Sequence, residues 1–186
     1  MKPGRTPRRA VFLDRDGVIV REVDYLSRIS QLKVIPGAAR AMRNLRAAGF
    51  KVVVVTNQSG VARGMFSLAQ LARIHRELKK RLAMSGAKWD ALYFSPHHPD
   101  SGHPMRKPGS GMLLAAKRRF RLDLTSSYLV GDTTTDIKTA RNARCTAILV
   151  RTGYAGRDRR YNVKPDRRCD DLAAAARWII GRVKAP

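Results

Sequence analysis

Four of the fourteen acidic residues in this chain fall in two short segments, and each segment ends an apolar run. Asp14 and Asp16 follow the first run, whereas Asp132 and Asp136 follow a later one. A single aspartate in such a place is usually a helix cap or a turn residue, but that explanation accounts poorly for four together. Carboxylate oxygens suit Mg²⁺, which often bridges to a phosphate group. One carboxylate can act as a nucleophile there, and another two residues on can act as general acid and base.

Two further segments carry polar or basic side chains next to predicted elements. Thr56 and Asn57 end a β-branched run, and Lys107 lies in Arg106-Lys107-Pro108, just before a predicted helix start. A basic pair at such a place can bind phosphate through its side chains and through backbone N–H groups. In so basic a chain a solvated surface lysine is the ordinary alternative for Lys107, but the Pro-Gly-Ser-Gly sequence around it favours phosphate binding.

The elements that must position these residues alternate along the chain. Continuous apolar runs, which are typical of strands buried on both faces of a parallel sheet, lie at 10–13, 52–55, 91–94, 128–130 and 147–150. Helical spacing of apolar residues occurs at 37–48, 68–84, 110–120, 133–143 and 170–183. The alternation predicts an α/β fold, a doubly wound Rossmann-like parallel sheet with helices on both faces. Ligands of such sheets bind outside the carboxyl ends of the strands, so these polar residues should converge there.

No repeat, low-complexity tract or linker divides the sequence, and we therefore expect a single domain over residues 1–186. Residues 1–9 are predicted to be loose. Residues 151–168 are predicted to be an irregular surface loop. This loop belongs to the most basic stretch, residues 141–168, which carries eight Arg and one Lys.

Four segments together resemble the motifs of the haloacid dehalogenase superfamily of phosphatases. They are Phe12-Leu13-Asp14-Arg15-Asp16-Gly17-Val18, Val55-Thr56-Asn57-Gln58-Ser59-Gly60, Arg106-Lys107-Pro108 and Val130-Gly131-Asp132-Thr133-Thr134-Thr135-Asp136. All four occur in order with ordinary spacing, and the resemblance covers about residues 10–153. Within the superfamily the sequence most resembles the D-glycero-D-manno-heptose 1,7-bisphosphate phosphatases and the related histidinol-phosphate phosphatases. That likeness continues through residues 61–64 and 107–112.

The resemblance implies a role for each motif residue. Asp14 would be the nucleophile, and Asp16 would protonate the leaving oxygen and then activate water. Asp14, the backbone carbonyl of Asp16, and Asp132 would hold Mg²⁺. Thr56 and Lys107 would bind the phosphoryl oxygens, which makes the catalytic set Asp14, Asp16, Thr56 and Lys107. Asp136 would position Lys107 or a water on the metal.

The resemblance also indicates an open site of the capless haloacid dehalogenase type, because the segments between the motifs are too short for a cap domain. Asn57, Gln58 and Arg63 would contact the leaving group, and Arg106 would bind a second, distal phosphate, since arginine can bind phosphate with two N–H groups. Surface solvation is the alternative for Arg63 and Arg106. From the resemblance we expect heptose 1,7-bisphosphate, hydrolysed at its 7-phosphate, as the substrate. Histidinol phosphate is the alternative within the same chemistry.

The sequence departs from zinc-bearing relatives in one loop. Those relatives have Cys-x-His and then Cys-x-Cys before the Arg-Lys pair, whereas this chain has Ser95-Pro96-His97 and His103-Pro104-Met105. His97, His98 and His103 remain as candidate ligands, but the thiolates of a tetrahedral zinc site are absent from these positions. We therefore expect Mg²⁺ as the cofactor and no structural zinc. Three prolines can restrain the loop without a metal.

The overall charge leaves a second class of substrate open. The 38 Lys and Arg against 14 Asp and Glu give a formal net charge of +24, which attracts phosphate-bearing molecules of any size. Polynucleotide 3′-phosphatases use a similar scaffold, but only 6% of the residues are aromatic, which provides few platforms for stacking bases. Nucleic acid is therefore a possible but not favoured partner. A non-catalytic phosphate-binding protein is less consistent with the intact Asp14/Asp16 pair.

The remaining composition indicates where such a protein works. No apolar stretch is long enough to span a membrane, and the two cysteines do not form a disulfide framework. We expect a cytoplasmic protein with no membrane partner. The sequence contains no heptad pattern of the kind that pairs helices of two chains, so we expect a monomer. We expect its partner to be a small phosphorylated substrate.

Overall fold

A computed structural model describes residues 8–184 of the chain as a parallel sheet flanked by helices. The strands are β1 (Ala10–Leu13), β2 (Lys51–Asn57), β3 (Ala91–Ser95), β4 (Tyr128–Gly131), β5 (Thr146–Val150) and β6 (Arg167–Cys169). The helices are α1 (Ala38–Ala47), α2 (Leu68–Met84), α3 (Gly111–Phe120), α4 (Thr134–Asn142) and α5 (Leu172–Lys184). Two short 3₁₀ turns lie at Ile29–Gln31 and Pro99–Ser101.

The six strands are all parallel and have the order β3-β2-β1-β4-β5-β6. Strand β1 therefore lies between β2 and β4, and the chain winds outward from it in both directions. This is the topological switch point of a doubly wound sheet, where ligands bind beyond the carboxyl ends of the strands. The predicted fold class is confirmed.

Alternate residues of strands β1 to β5 face two separate cores. On one face, Val11 and Val130 belong to a core formed with α1, α2 and α5. On the other face, Phe12 and Leu129 pack with α3 and α4. All four residues of β1 are completely buried, which explains why this strand is a continuous apolar run and not an alternating one. The sheet is thus held rigidly from both sides, and its carboxyl ends form a fixed platform.

Five of the strands and all five helices were predicted, but β6 was not. Residues 167 and 168 were interpreted as part of an irregular surface loop, and this interpretation was wrong. Arg167 and Arg168 are exposed and Cys169 is buried in the edge strand, which pairs in parallel with β5. An edge strand needs little apolar sequence because one side of it faces solvent.

The predicted loose segment 1–9 lies mostly outside the described residues. Arg8 and Arg9 are described, and both are attached to the sheet end. The carbonyl oxygen of Arg8 accepts the N–H of Asp123 at 2.9 Å, and that of Arg9 accepts the N–H of Lys51 at 2.9 Å. The prediction is therefore corrected for these two residues.

The two segments in which a cap domain would be inserted, from β1 to α1 and from β2 to β3, are short. The chain from β1 to α1 makes a small flap through bridges that pair Val20 with Asp16 and with Val34. The connection from β2 to β3 contains α2 as its only helix. Ser67 caps that helix, because its hydroxyl accepts the N–H of Gln70 at 3.1 Å. Among residues 8–184, no helix has both the length and the apolar composition needed to cross a bilayer.

Candidate active site

Lys107 lies at the centre of the site, in the loop before α3, and is only 4% exposed. Its ammonium nitrogen is 2.8 Å from Oδ2 of Asp14 and 2.6 Å from Oδ1 of Asp136. Burial acts to lower the pKa of Lys107, but the charges of Asp136 and Asp14 outweigh it and raise the pKa above its ordinary value. The lysine is therefore a permanent positive charge between two carboxylates.

Asn57 fixes the backbone that carries this lysine. The amide of Asn57, at the end of β2, donates to the carbonyl oxygen of Lys107 at 3.0 Å and accepts the Lys107 N–H at 3.0 Å. Both ends of the amide side chain are thus engaged with the protein. Contact of Asn57 with a substrate stays a prediction, whereas its contact with the Lys107 loop is a feature that the sequence did not reveal.

Three buried carboxylates surround one point beyond β1 and β4. Oxygen atoms of Asp14, Asp132 and Asp136 lie within 4.8 Å of one another. Burial, opposed mainly by Lys107, raises the pKa of Asp14 to about 7. Burial together with the charges of Asp136 and Asp14 raises the pKa of Asp132 to about 9. Lys107 alone therefore does not compensate the negative charge of this cluster.

This donor set fits a divalent cation. Oδ1 of Asp14 accepts the N–H of Arg15 at 2.7 Å, and Oδ2 of Asp132 accepts the N–H of Tyr154 at 2.7 Å, so both carboxylates are held in fixed orientations. Hard oxygen ligands with excess negative charge are what Mg²⁺ requires. Asp136, by contrast, is bound to Lys107 and to Thr133 at the start of α4. Asp136 is thus suited to orient Lys107, as the sequence resemblance implied.

Two glycines allow the backbone to approach Asp132. Gly17 and Gly153 both have left-handed backbone angles, with φ of 73° and 66°. A Cβ atom on either residue would overlap the carboxylate group of Asp132. Asp132 therefore lies in a space that only residues without a side chain leave open.

Asp16 lines the same cleft as Asp14, but its carboxylate is held by different partners. The guanidinium of Arg15 donates to it at 2.8 Å through Nη2, and the amide of Gln58 donates to it at 3.0 Å. The same Gln58 amide donates to the hydroxyl oxygen of Thr56 at 2.8 Å. Asp16, Gln58 and Thr56 thus form one hydrogen-bonded group beside the cleft.

Arg15 was not recognised as a site residue, yet its side chain is among the largest that are completely buried. Its Nη1 is 3.0 Å from Nε2 of His75, which projects from α2. Burial, followed by the charge of Arg15, lowers the pKa of His75 to about 4. A neutral His75 can accept a hydrogen bond from Arg15, so α2 helps to hold Arg15 against Asp16. The arginine between two motif aspartates was the available sequence signal.

The cluster opens into a cleft of about 440 Å³. All the predicted catalytic and substrate-binding residues line it, including Arg63 and Arg106. Burial lowers the pKa of Arg106, and the positive charges of Arg160 and Arg63 lower it further. Arg160 lines the same cleft as Arg63 and Arg106. Neither Arg63, Arg106 nor Arg160 forms an ion pair within residues 8–184.

Several lining residues come from the segment after β5, which was predicted only as a surface loop. They include Tyr154, Asp158, Arg160 and Tyr161. Glu22, in the flap after β1, was also missed; burial together with the charges of Asp16 and Asp14 raises its pKa to about 8. The end of β5 at the same sheet edge was the signal that could have identified the loop.

The histidine loop makes contacts of its own. The rings of His97 and His103 are stacked with centroids 3.6 Å apart. Nδ1 of His103 accepts the N–H of Met105 at 3.1 Å, and Nδ1 of His98 accepts the N–H of Asp100 at 3.4 Å. The described residues place no three of these side chains in a metal-binding group, and the only such group found among residues 8–184 is the aspartate cluster. Whether this loop binds zinc stays a prediction.

Comparison with known protein families identifies the class of enzyme to which the chain belongs. Residues 11–102 match the family described as "Haloacid dehalogenase-like hydrolase", and residues 104–175 match one described as "HAD-hyrolase-like". A D-glycero-D-manno-heptose-1,7-bisphosphate 7-phosphatase from Thermosynechococcus vestitus is 45% identical over 188 residues, covering 93% of this chain and 96% of that protein. The chain therefore belongs to the haloacid dehalogenase-like hydrolases, and it is a phosphoric monoester hydrolase.

A further relative and a solved structure show the same likeness. A D-glycero-beta-D-manno-heptose-1,7-bisphosphate 7-phosphatase from Bordetella bronchiseptica is 37% identical over 175 residues, covering 92% of this chain and 98% of that protein. The crystal structure of D,D-heptose 1,7-bisphosphate phosphatase from B. bronchiseptica, complexed with magnesium and phosphate, matches with a TM-score of 0.87 and 36% identity. The match covers 94% of this chain and 99% of the chain in that crystal structure. The predicted superfamily and the predicted likeness to heptose bisphosphate phosphatases are confirmed.

Proposed function

We propose that this chain is a Mg²⁺-dependent phosphatase that removes the 7-phosphate from D-glycero-D-manno-heptose 1,7-bisphosphate. The names of its relatives support this substrate. One observation carries the proposal: the buried lysine–aspartate centre and the three guanidinium groups of Arg63, Arg106 and Arg160 line one cleft. The centre provides a position for the reacting phosphate, and the arginines provide one for a distal phosphate.

The metal would be held by Asp14, the backbone carbonyl of Asp16, and Asp132. When bound, Mg²⁺ supplies positive charge that neutralises the phosphoryl oxygens and the carboxylates around them. This neutralisation is needed because Asp14 must be ionised to act as a nucleophile, whereas burial raises its pKa to about 7. Lys107 contributes a second positive charge at the same point.

The protein groups then account for both halves of the reaction. A carboxylate oxygen of Asp14 forms a bond to phosphorus while the bond to the ester oxygen breaks, and Asp16 gives its proton to that leaving oxygen. In the second half, Asp16 takes a proton from water, the water oxygen bonds to phosphorus, and the Asp14–phosphorus bond breaks. Inorganic phosphate leaves, and Asp14 and Asp16 are restored. Thr56 and Lys107 bind the phosphoryl oxygens throughout.

The arginines give a reason to prefer a bisphosphate. Three guanidinium groups that line one cleft without acidic partners repel one another, and this repulsion adds to burial in lowering the pKa of Arg106. A second phosphate on the substrate removes this repulsion and can accept two hydrogen bonds from a single arginine. The sugar hydroxyls would lie between the two phosphate positions.

Phosphate release with Mg²⁺ tests the proposal. The substrates are both anomers of heptose 1,7-bisphosphate, histidinol phosphate and a 3′-phosphorylated oligonucleotide, each repeated with chelator. We expect the highest kcat/KM for a heptose bisphosphate and no turnover with chelator. A higher value for histidinol phosphate or for the oligonucleotide would overturn the substrate assignment.

Asp14→Asn tests the nucleophile. The change keeps the shape of the side chain, so we expect the protein to fold while kcat falls by at least about 10³-fold. Asp170→Asn is the matched control, because Asp170 is exposed and its ion pair with Arg151 lies on the surface. Wild-type turnover by Asp14→Asn would show that another group attacks phosphorus.

The proposal also includes a monomeric enzyme of cytoplasmic carbohydrate metabolism. Light scattering on the purified protein, combined with size-exclusion chromatography, tests the monomer. A stable dimer at assay concentration would contradict it.

A further inference from the structure

Thr134, the first residue of α4, joins that helix to the loop between β5 and β6. Its N–H donates to Oδ1 of Asp158 at 2.7 Å, and its hydroxyl donates to Oδ2 of Asp158 at 2.7 Å. The same hydroxyl oxygen accepts the backbone N–H of Arg160 at 3.1 Å and that of Tyr161 at 3.2 Å. A hydroxyl has one hydrogen and two lone pairs, so its bonding capacity is completely used.

The beginning of this loop is fixed by different contacts. The N–H of Gly156 donates to the carbonyl oxygen of Asp132 at 2.7 Å, and the N–H of Tyr154 donates to the Asp132 carboxylate. The loop is therefore attached near the metal-binding aspartate at one end and to Thr134 further along. Each attachment can be altered separately, because the groups involved are different.

The backbone between these attachments has an unusual conformation. Arg159 has a φ of 46°, in the left-handed region that residues with a side chain rarely adopt. The next two residues, Arg160 and Tyr161, are the ones whose N–H groups bind the Thr134 hydroxyl. The Thr134 and Asp158 contacts hold this turn in place, and the turn places Arg160 at the wall of the cleft.

We propose that Thr134 and Asp158 are positioning residues that hold Arg160 beside Arg106 and Arg63, and that they thereby set the preference for a substrate with a second phosphate. The proposal rests on the proposed function, because it assigns these arginines to the distal phosphate. Arg160 is an exposed side chain, and an arginine on an unrestrained loop would lose more conformational freedom when it binds. Fixing its backbone reduces that loss.

Kinetics on two substrates test this role. The first is heptose 1,7-bisphosphate, and the second is the heptose carrying only the 7-phosphate. Thr134→Val removes the hydroxyl at nearly constant shape, and Thr134→Ser retains it. We expect Thr134→Val to raise KM for the bisphosphate. The ratio of kcat/KM for the bisphosphate to kcat/KM for the 7-phosphate should fall about tenfold, as expected for one weakened hydrogen bond to a charged group. Thr134→Ser should restore the ratio.

A double-substitution cycle separates positioning from general damage. Arg160→Gln should lower the same ratio by itself, and Thr134→Val should have no further effect on it in that background. If Thr134→Val lowers kcat/KM equally for both substrates, the loop acts through Asp132 and the proposal is wrong. If the two effects multiply, Thr134 does not act through Arg160 and the proposal is also wrong.

Three further outcomes distinguish a folding defect, failure of the proposed function and failure of the positioning role. If Thr134→Val does not fold, as judged by circular dichroism, Asp158→Asn carries the same comparison, because it weakens the contact from the other side. If the wild-type enzyme hydrolyses no heptose bisphosphate, the proposed function fails and this proposal fails with it. If the wild type hydrolyses the bisphosphate and the ratio is unchanged in both variants, only the positioning role is refuted.

Discussion

Replacing Lys107 by methionine should destabilise the fold as well as abolish activity. Among residues 8–184, its ammonium group is the one positive charge that contacts both Asp14 and Asp136, and all three side chains are buried. The pKa of Lys107 is raised, so the group is protonated at every pH at which the protein is handled. Removing one partner of such a pair typically costs about 3–5 kcal/mol, because the remaining charge stays buried without compensation.

Urea denaturation of the metal-free protein measures this loss. At neutral pH we expect Lys107→Met to lower the free energy of unfolding by about 3–5 kcal/mol, which corresponds to more than two powers of ten in the unfolding equilibrium. Lys80→Met is the control, since Lys80 is exposed on α2 and should change stability by less than about 0.5 kcal/mol. Adding Asp136→Asn to Lys107→Met removes one carboxylate and should recover part of the loss.

The loss of stability in Lys107→Met should depend on pH and on bound metal for the same electrostatic reason. In the Lys107→Met variant the crowded carboxylates take up protons more readily, so its stability should approach that of wild type as the pH falls. Bound Mg²⁺ should narrow the difference as well, because it supplies positive charge only to the folded state. An equal midpoint of unfolding for wild type and variant, or a difference independent of pH and Mg²⁺, would refute the electrostatic reasoning.

Three further outcomes are expected. Hydrogen bonds from the side chains of Lys51 and Arg46 and from the Val52 N–H lower the pKa of Asp90 although burial acts to raise it. Asp90→Asn should therefore cost about 1–2 kcal/mol at pH 7. In chemical denaturation this cost should begin to decrease as the pH falls to the ordinary value of 3.8, and it should disappear only below the lowered pKa of the folded state. Gly153→Ala should weaken Mg²⁺ binding in calorimetry by pushing on Asp132, whereas Gly102→Ala, with a φ of 61° and open space around it, should not. Because the pKa of Asp132 is raised to about 9, the metal-free protein binds more protons folded than unfolded, so its melting temperature should fall from pH 5 to pH 9, and Mg²⁺ should reduce the fall.

Sequence reasoning located the strands well because a strand buried on both faces must be apolar throughout. Strand β1 and the predicted run at 52–55 within β2 are completely buried, and their sequences are continuous apolar runs. Strand β6 was missed for the complementary reason, since Arg167 and Arg168 are exposed at the sheet edge. The pattern of apolar residues reports burial, so an edge strand whose side chains are mostly exposed leaves little trace in it.

The site residues that directly follow buried strands could be placed in the same way. Asp14 and Asp132 could be placed together because they follow β1 and β4, which pair in the sheet. The hydrogen bonds of Thr134 could not be predicted, because its partners depend on the conformation of a loop after a different strand. Hydrogen bonds between the start of a helix and a distant loop leave no repeating pattern in the sequence, so only the three-dimensional structure reveals them.

The central position of β1 has a consequence for how the protein acquires activity as it folds. Strand β1 pairs with β2, which is near in sequence, and with β4, whose neighbouring Ser127 contacts Ala10 across 117 residues. Contacts between such distant segments form late, because closing the intervening loop costs conformational entropy. A growing or truncated chain that ends before β4 therefore carries Asp14 and Lys107 without Asp132. The onset of metal binding would mark the step at which the two halves of the sheet join, and it gives a direct readout of that step in refolding experiments.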